Sequence, residues 1–451
     1  MAILYQRKKA LAVRPVKSSQ PVGAALAFQG MDRAIPLLHG SQGCTAFAKV
    51  FFVRHFREPI PLQTTAMDQV STVMGGDDNI LEALKTISSG SRPGMIGLIT
   101  TGLTEIQGSD IRRVVKTFRE QAPTATDVVP VACPDFTGCL ETGYARAVEA
   151  MIDTLVAESG PRESTDGPPR VTLLPGAHLT PGDVEALKEM VAAFGLQPVA
   201  VPDLSLSLDG HLEPGPLTPL SPGGTPAAAV RDLATARATL VFGDALGPAA
   251  DLLRRRTGVA DYRFPAAMGL KATDRLLTVL GDISGQPVPE SLRRDRQRLL
   301  DAMLDTHFFL THKRVGLAGD PDFLLGWRAL LGEMGLETPA VVASMGGEAL
   351  LGSDFGAIQI GDLEDLEDLA VRHGVDLLLG NSHVAELAER LDRPVLRCGY
   401  PVHDRLGMPL RSWVGYRGGW LVLFDLVNTL TAHDRQRVAP YRSVFPLAAA
   451  V

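Results

Sequence analysis

Cys44 is the residue of this 451-residue chain whose position favours a specific chemistry. It follows the glycine-containing turn 39–43 and precedes a mostly apolar, helix-compatible run over 46–53. The first turn of a helix leaves backbone N–H groups unpaired, and these groups favour a thiolate. A thiolate is a soft ligand that suits iron or zinc. Without a partner at metal-ligand spacing, however, a lone cysteine is more often a small buried apolar side chain.

The other cysteines and the histidines form no recognisable metal or catalytic pattern. Cys133 and Cys139 have five residues between them, more than the two to four of structural zinc pairs, and Cys398 ends a predicted buried strand. Ser41 lies near His39, but no Gly-x-Ser-x-Gly hydrolase turn surrounds it. No helix-borne pair, at a spacing of three or four residues, occurs among His39, His55, His307, His312, His373, His383 and His403. These patterns favour ordinary thiols and structural histidines.

Nucleotides and nucleic acids are disfavoured as ligands. The sequence contains neither a P-loop motif nor G-x-G-x-x-G after a strand, and the nearest candidate, 316–321, is typical of a strand-to-helix turn. The net charge of −7 and the pI near 5.8 argue against phosphate-rich partners. The basic clusters 254–256 and 293–296 lie in helical patterns and are interpreted as solvated faces.

Length and composition indicate a large globular protein of the reducing cytoplasm. At 451 residues, with 45% hydrophobic and 21% charged residues, the chain is too long for one core. Four scattered cysteines are too few for a disulfide framework. No uncharged apolar run is long enough to span a membrane, and 1–10 does not resemble a secretory signal. We therefore expect a cytoplasmic location with no membrane and no nucleic acid as partner.

Apolar runs alternate with amphipathic helical patterns along the chain. A predicted strand at Met95–Thr100 is followed by a loop over 101–108, an amphipathic helix with its apolar face over 111–118, and a strand at Val128–Cys133. Similar units open at Val171–Leu174 and Arg314–Leu317. This βαβ rhythm predicts doubly wound sheets whose functional loops lie at the carboxyl ends of the strands.

The organisation of the chain is predicted from breaks in this rhythm. The Pro-, Gly- and Ser-rich stretch 158–170 is interpreted as a domain boundary. The long Pro/Gly loop 203–226 is either a lid or a disordered excursion. The predicted division is an N-terminal arm at 1–20, lying on a partner or on the chain's own surface, domain I at 21–160, domain II at 168–308, and domain III at 309–451 with a C-terminal helix.

Seven motifs resemble those of one known family. They are HGSQGC (39–44), RHFREP (54–59), TTAMDQVSTVMGG (64–76), TTGLTEIQGSD (100–110), GDPDF (319–323), GNSH (380–383) and GYPVHDRLG (399–407). In this order they resemble the nitrogenase component 1-like family, and within it the β-type subunit of the scaffold on which the nitrogenase iron–molybdenum cofactor is matured. The resemblance implies an α/β fold of three Rossmann-like, doubly wound domains with mostly parallel sheets.

The resemblance also implies a role for Cys44. In the catalytic β subunit of the family, three cysteines hold an interface cluster, and the corresponding positions here are Ser19 or its neighbour, Cys44 and Gly102. Of these, Cys44 alone can supply a thiolate. The resemblance therefore implies that Cys44 is a metal and cofactor ligand, contributing one thiolate to an interface [4Fe–4S] cluster whose other ligands come from the α-type subunit, NifE.

The implied partners follow from the scaffold role. The chain would form an α2β2 heterotetramer with NifE, which would hold most of the contacts to the cofactor precursor made by NifB. The nitrogenase Fe protein, NifH, would dock near 100–110 and supply electrons, and the finished cofactor would pass to apo-nitrogenase. In this interpretation the chain is a scaffold subunit and not an enzyme by itself.

Two alternatives remain open at the level of sequence. The first is the β subunit of a nitrogenase-like reductase, either the nitrogenase MoFe protein or dark-operative protochlorophyllide reductase. A three-thiol pattern would mark the nitrogenase subunit, and a carboxylate cluster ligand would mark the reductase. The second is a metal-free structural partner of NifE in which Cys44 is inert.

Overall fold

The computed structural model describes residues 1–6, 9–122, 125–162, 167–212, 218–265 and 267–437. The strands are β1 Ile3–Tyr5, β2 Ala34–His39, β3 Gln63–Thr64, β4 Met95–Thr100, β5 Asp127–Val131, β6 Arg170–Pro175, β7 Gln197–Ala200, β8 Ala238–Phe242, β9 Asp261–Phe264, β10 Arg314–Gly319, β11 Glu337–Ala343, β12 Ala357–Ile360, β13 Leu377–Gly380 and β14 Val395–Arg397.

The α-helices alternate with these strands. They are α1 Gln20–Gln29, α2 Gln42–Phe56, α3 Gln69–Met74, α4 Asp77–Gly90, α5 Gly102–Gln107, α6 Ile111–Gln121, α7 Leu140–Leu155, α8 Pro181–Ala193, α9 Ala227–Arg231, α10 Gly247–Thr257, α11 Leu270–Ser284, α12 Glu290–Leu310, α13 Pro321–Glu333, α14 Glu348–Gly352, α15 Leu363–His373, α16 Ser382–Arg390 and α17 Gly415–Arg437. None of the helices in the described ranges is long and apolar enough to cross a membrane.

The described strands form three sheets in which neighbouring strands run parallel. Sheet I has the order β3-β2-β4-β5, sheet II β7-β6-β8-β9, and sheet III β1-β12-β11-β10-β13-β14. The central strands β2, β4 and β8 are buried along their whole length because layers of helices cover both faces. The predicted α/β class with mostly parallel, doubly wound sheets is confirmed.

Several predicted elements are found with small shifts in their ends. The strand at Met95–Thr100 has the predicted bounds, whereas the one predicted at Val128–Cys133 is β5, which ends two residues earlier. The predicted loop 101–108 is mostly the short helix α5. The expected domains 21–160, 168–308 and 309–451 stay a prediction. Apart from β1, each of the three sheets is formed by strands from one of these three ranges.

The N-terminal arm adds an edge strand to the third sheet. β1 pairs with β12, so Ile3 lies opposite Ala357. The Lys9 ammonium group is 2.8 Å from the Asp362 carboxylate and 2.6 Å from the Glu364 carboxylate. The sequence predicted that the arm lies on a partner or on the chain's own surface. In the structure the arm lies on the chain's own surface.

The described parts of the loop 203–226 are hydrogen-bonded to the elements around sheet I. The Ser221 hydroxyl accepts a hydrogen bond from the Ala34 amide at 2.8 Å, and the Thr225 amide donates to the Gly30 carbonyl. Leu208 and Leu220 are buried. Residues 213–217 lie outside the described part of the chain. The described flanks of this loop are therefore packed against the body of the protein, unlike a free lid.

Helices α1 and α7 cross at very short distance, which positions the start of α1. A Cβ atom on Gly143 would lie 1.9 Å from the Gln20 carbonyl oxygen, and one on Gly23 would lie 1.8 Å from that of Leu140. Only glycine at both positions allows this approach. The crossing sets Ser19, the residue before α1, at the edge of sheet I.

Candidate functional site

The site lies where sheet I changes its winding direction. β2 and β4 are neighbours, and His39 pairs with Thr100 at their carboxyl ends. The Thr101 hydroxyl donates a 2.9 Å hydrogen bond to the His39 carbonyl, which joins the two loops that leave these strands. Such a switch point is the place where doubly wound sheets bind ligands.

Cys44 lies in the first turn of α2, so the predicted helix start is found, but two residues before Cys44 instead of after it. The helix begins at Gln42 after Ser41, whose side chain does not cap the helix. The Ser41 hydroxyl oxygen is 3.5 Å from the Cys44 sulfur, and the thiol is exposed. Cys44 is therefore not the buried apolar side chain that its isolation in the sequence favoured. It offers a soft donor beside the N–H groups of a helix start.

The other two family ligand positions lie at the same edge of sheet I. The Asp135 carboxylate accepts a 3.0 Å hydrogen bond from the Gln20 amide, directly after Ser19. A Cβ atom on Gly102 would lie 3.5 Å from the Asp135 Cβ. The structure thus brings Ser19, Gly102 and the start of α2 to one edge. Of the three positions, only Cys44 carries a thiol.

The rest of a metal-ligand set is missing from the described ranges. No group of three or more His, Cys, Asp or Glu side chains there could hold a metal ion. Burial raises the pKa of Cys133 to about 12 and also raises the pKa values of Cys139 and Cys398, which keeps all three as thiols at neutral pH. The donor set therefore fits one corner of an iron–sulfur cluster and not a whole cluster.

The nearest histidines are structural. His39 Nδ1 is 2.9 Å from the Thr65 hydroxyl, and His55 Nδ1 accepts a 2.9 Å hydrogen bond from the Val402 amide. Burial lowers the pKa values of both to about 4, so they are neutral at physiological pH. Because the His39 ring contacts Thr65 and not Ser41, the geometry does not support a Ser–His hydrolase pair.

Exposed apolar side chains lie on α2, the helix that carries Cys44, and on α3 and α5. The Gln107 side-chain amide donates to the carbonyls of Ser71 and Thr72, which holds α5 against α3. We define the apolar face by the exposed side chains of Phe47, Val50, Val70, Val73, Met74, Leu103, Ile106 and Phe136. Phe47 and Ile106 are each 80% exposed. Large apolar side chains exposed in this number are typical of a surface where another protein binds.

Comparison with known proteins identifies the family. Residues 19–431 match the model of the nitrogenase component 1 type oxidoreductase family. The chain belongs to this family. The resemblance predicted from the seven motifs is therefore confirmed.

Relatives in this family match over nearly their full length. The chain is 44% identical to the nitrogenase iron-molybdenum cofactor biosynthesis protein NifN of Rippkaea orientalis, with 96% of this chain and 97% of the relative covered. It is 42% identical to the NifN protein of Klebsiella pneumoniae, with 98% and 96% covered. A solved chain of nitrogenase Cp1 at pH 6.5 superposes with a TM-score of 0.89 at 28% identity and covers 96% of both chains.

This nitrogenase-family chain has a second cluster of functional groups that the sequence reasoning missed. The Glu141 carboxylate, in the first turn of α7, accepts a 3.0 Å hydrogen bond from the Asp322 amide at the start of α13. The Asp320 carboxylate, in turn, accepts from the Glu141 amide at 3.3 Å. Asp322 also accepts from the Asp244 amide at 2.8 Å. The first turns of α7, which lies beside sheet I, and α13, which follows strand β10 of sheet III, therefore cap each other. Asp244, which follows strand β8 of sheet II, donates its amide to the same junction.

The carboxylates of this junction hold a proton because they are buried close together. Burial raises the pKa of Asp322 to about 7, and burial plus the neighbouring carboxylates raise the pKa of Glu141 well above its usual range. Glu141, Asp320 and His178 line a cavity of about 40 Å³ at this junction. That volume suits one or two water molecules. The sequence signal for this junction was the GDPDF motif (319–323). In it an Asp-Pro pair starts a helix and a second aspartate follows.

Because of the buried carboxylates at this junction, we expect the free energy of unfolding to depend on pH. Because the folded state binds a proton that the unfolded chain loses above about pH 4, the wild-type protein should lose stability as the pH rises towards 7 and beyond. We expect Glu141→Gln, which keeps the acceptor for the Asp322 amide, to raise the melting temperature at pH 8 by several degrees and to have little effect near pH 4.

Melting temperatures measured between pH 4 and pH 8 test this expectation. Glu149→Gln, on the same helix, serves as the control and should follow the wild-type profile. A constant difference between Glu141→Gln and the wild type across this pH range would refute the proton-holding junction.

Proposed function

We propose that this chain is the β-type subunit of a scaffold on which the nitrogenase iron–molybdenum cofactor is matured from an iron–sulfur precursor. The names of relatives at 42–44% identity support this proposal. The observation that carries the structural part is the single exposed thiol of Cys44 at the switch point of sheet I, with no second thiol at the positions of Ser19 and Gly102. In this role the chain is a scaffold subunit and not an enzyme by itself.

In this proposal, Cys44 contributes one thiolate to a [4Fe–4S] cluster shared with NifE. A cubic cluster takes four ligands, and this chain offers one soft donor at the site. The Cys44 thiol lies in the first turn of α2, where backbone N–H groups lack partners within the helix. Because the sulfur is exposed, it could bind a cluster whose other ligands lie on another chain. The cluster, when bound, would relay electrons across the interface.

NifE is the partner that the apolar face would bind. Phe47 and Val50 of this face lie on α2, the helix that carries Cys44, so the surface that excludes water and the thiol that binds iron would belong to the same interface. Obligate interfaces are large and apolar, which fits the exposed side chains of α2, α3 and α5. Two such pairs would form the α2β2 heterotetramer.

The precursor itself is assigned mainly to NifE. Among the described residues of this chain, no group of three or more His, Cys, Asp or Glu side chains could hold a metal ion. NifB would supply the precursor, NifH would supply electrons, and apo-nitrogenase would receive the product.

Iron and sulfide analysis of the pair tests the proposal. The chain is co-expressed with NifE, purified anaerobically, and compared with the Cys44→Ala pair. We expect about four irons and four sulfides for each αβ pair in addition to any precursor. A pair that assembles fully and contains no interface iron would instead support a metal-free structural role.

Docking of NifH is proposed at the edge formed by α5 and the start of α6. Asp110 is exposed and accepts a 3.1 Å hydrogen bond from the Arg113 amide. Glu105 is less suitable for charge reversal because it accepts a hydrogen bond from the Thr100 hydroxyl inside the loop. We expect Asp110→Asn, which keeps an acceptor for the helix cap, to weaken association with NifH several-fold at low salt and little at high salt.

The control for this docking experiment is Asp282→Asn on α11, which removes an exposed carboxylate from a helix of a different part of the fold. Association is measured by light scattering or surface plasmon resonance at two salt concentrations. Equal affinities of the wild type and Asp110→Asn at low salt would place the docking surface elsewhere.

A further inference from the structure

The Ser41 hydroxyl is turned towards the Cys44 sulfur. Its oxygen is 3.5 Å from that sulfur, and within the described ranges this is the one hydrogen-bond contact of the side chain. Ser41 directly precedes α2, a position where a serine hydroxyl usually accepts a hydrogen bond from an amide of the first helical turn. The Ser41 side chain makes no such cap. The hydroxyl is therefore available to the thiol.

The backbone that carries Ser41 is held in place on two sides. The Gly40 amide donates a 3.2 Å hydrogen bond to the Thr65 hydroxyl, and the Gly40 carbonyl accepts one of 3.0 Å from the Met67 amide. A Cβ atom on Gly40 would lie 2.7 Å from the Thr101 hydroxyl oxygen. The segments that follow β3 and β4 therefore fix the point from which the Ser41 side chain extends.

The direction of the hydrogen bond depends on the state of the sulfur. A thiol and a hydroxyl can each donate to the other. A sulfur that binds iron is a thiolate and has no proton to give, so the Ser41 hydroxyl is then the donor. Hydrogen bonds to an ionised acceptor are stronger than neutral ones. The contact should therefore strengthen when Cys44 is a ligand.

A donor at a ligand sulfur changes the reduction potential of an iron–sulfur cluster. Reduction adds negative charge, and part of this charge lies on the sulfur ligands. A hydrogen bond to such a sulfur stabilises the reduced form more than the oxidised form, which raises the potential.

We propose that Ser41 is a positioning residue that holds the Cys44 sulfur and raises the reduction potential of the cluster bound there. This inference rests on the function proposed above, because it takes Cys44 as a ligand of a [4Fe–4S] cluster shared with NifE. Ser41 is not itself a ligand in this proposal, since a neutral hydroxyl is a poor donor for iron in a thiolate cluster. Its role is to make the cluster an easier acceptor of electrons.

Potentiometric titration of the co-purified αβ pair, monitored by EPR, tests the inference. Ser41→Ala should retain about four irons in the interface cluster. Reduction of the cluster should become about tenfold less favourable, which lowers the midpoint potential by about 59 mV for a one-electron couple. The melting temperature of the pair should stay close to that of the wild type, because no helix cap is lost.

Two further variants of nearly equal shape isolate the hydroxyl. Ser41→Thr keeps a hydroxyl and should keep the wild-type potential, whereas Ser41→Val should show the lowered potential. This pair decides the question even if Ser41→Ala loses its cluster. The control is Gln42→Ala, which changes the exposed neighbouring side chain and leaves both the hydroxyl and the sulfur in place. Its potential should equal that of the wild type.

Equal midpoint potentials of the wild-type and Ser41→Ala pairs, both with full iron content, would overturn this inference and leave the proposed function standing. Equal potentials of the threonine and valine variants would overturn it in the same way. A wild-type pair that contains no interface iron would overturn the proposed function, and this inference with it. Iron analysis and the potential thus distinguish the two failures.

Discussion

If Cys44 is a ligand of an interface [4Fe–4S] cluster, as proposed, Cys44→Ala should leave an αβ pair that assembles but whose cluster is labile. Apolar burial supplies most of the association energy, so loss of one ligand should not separate the subunits. A cube held by its remaining ligands should lose iron towards a three-iron form and show an altered EPR signal. Cofactor maturation should fall strongly because the electron relay from the Fe protein is damaged.

The matched control is Gln42→Ala, which changes another exposed side chain of the same helix turn and leaves the thiol in place. Iron content, the EPR spectrum and the maturation rate are measured for both variants. Wild-type values of all three for Cys44→Ala would refute the ligand assignment and leave Cys44 as an inert thiol.

Phe47→Ser should weaken pairing with NifE by at least about 30-fold, since removal of a large aromatic side chain from an interface centre commonly costs about 2 kcal/mol or more. Phe47 follows Cys44 by three residues on α2 and is 80% exposed in the single chain. If the apolar face is the pairing surface, this ring is buried beside the cluster when the pair forms.

Phe308→Ser is the matched control for this experiment. Phe308 is 85% exposed on α12, outside the apolar face, so the substitution removes the same ring from a different surface. Sedimentation velocity of the co-expressed chains measures the fraction of αβ pairs. Equal pairing of the Phe47 and Phe308 variants would contradict the assignment of the apolar face.

Local sequence patterns determined much of the fold. The apolar run at Met95–Thr100 is a buried strand with the predicted bounds, because its length and composition alone satisfy a strand covered on both faces. The glycine-containing turn likewise predicted a helix start, although α2 begins at Gln42, two residues before Cys44 and not after it. The seven motifs predicted the family, which is confirmed.

The tertiary structure decided which distant residues meet. Glu141 and Asp322 are 181 positions apart in the chain, yet a hydrogen bond joins them because the order of strands places the starts of α7 and α13 together. Hydrophobic periodicity describes which side of an element is buried and does not describe which element covers it. The acidic junction therefore could not be predicted from either segment alone.

The same physical reason explains the apolar face, which the sequence did not predict. The exposed side chains of α2, α3 and α5 form an apolar face only because the loops leaving β2 and β4 end at one edge of sheet I. The sequence by itself determined many of the elements, the one cysteine among the three family ligand positions, and the family, whereas packing between distant segments determined the acidic junction and the apolar face.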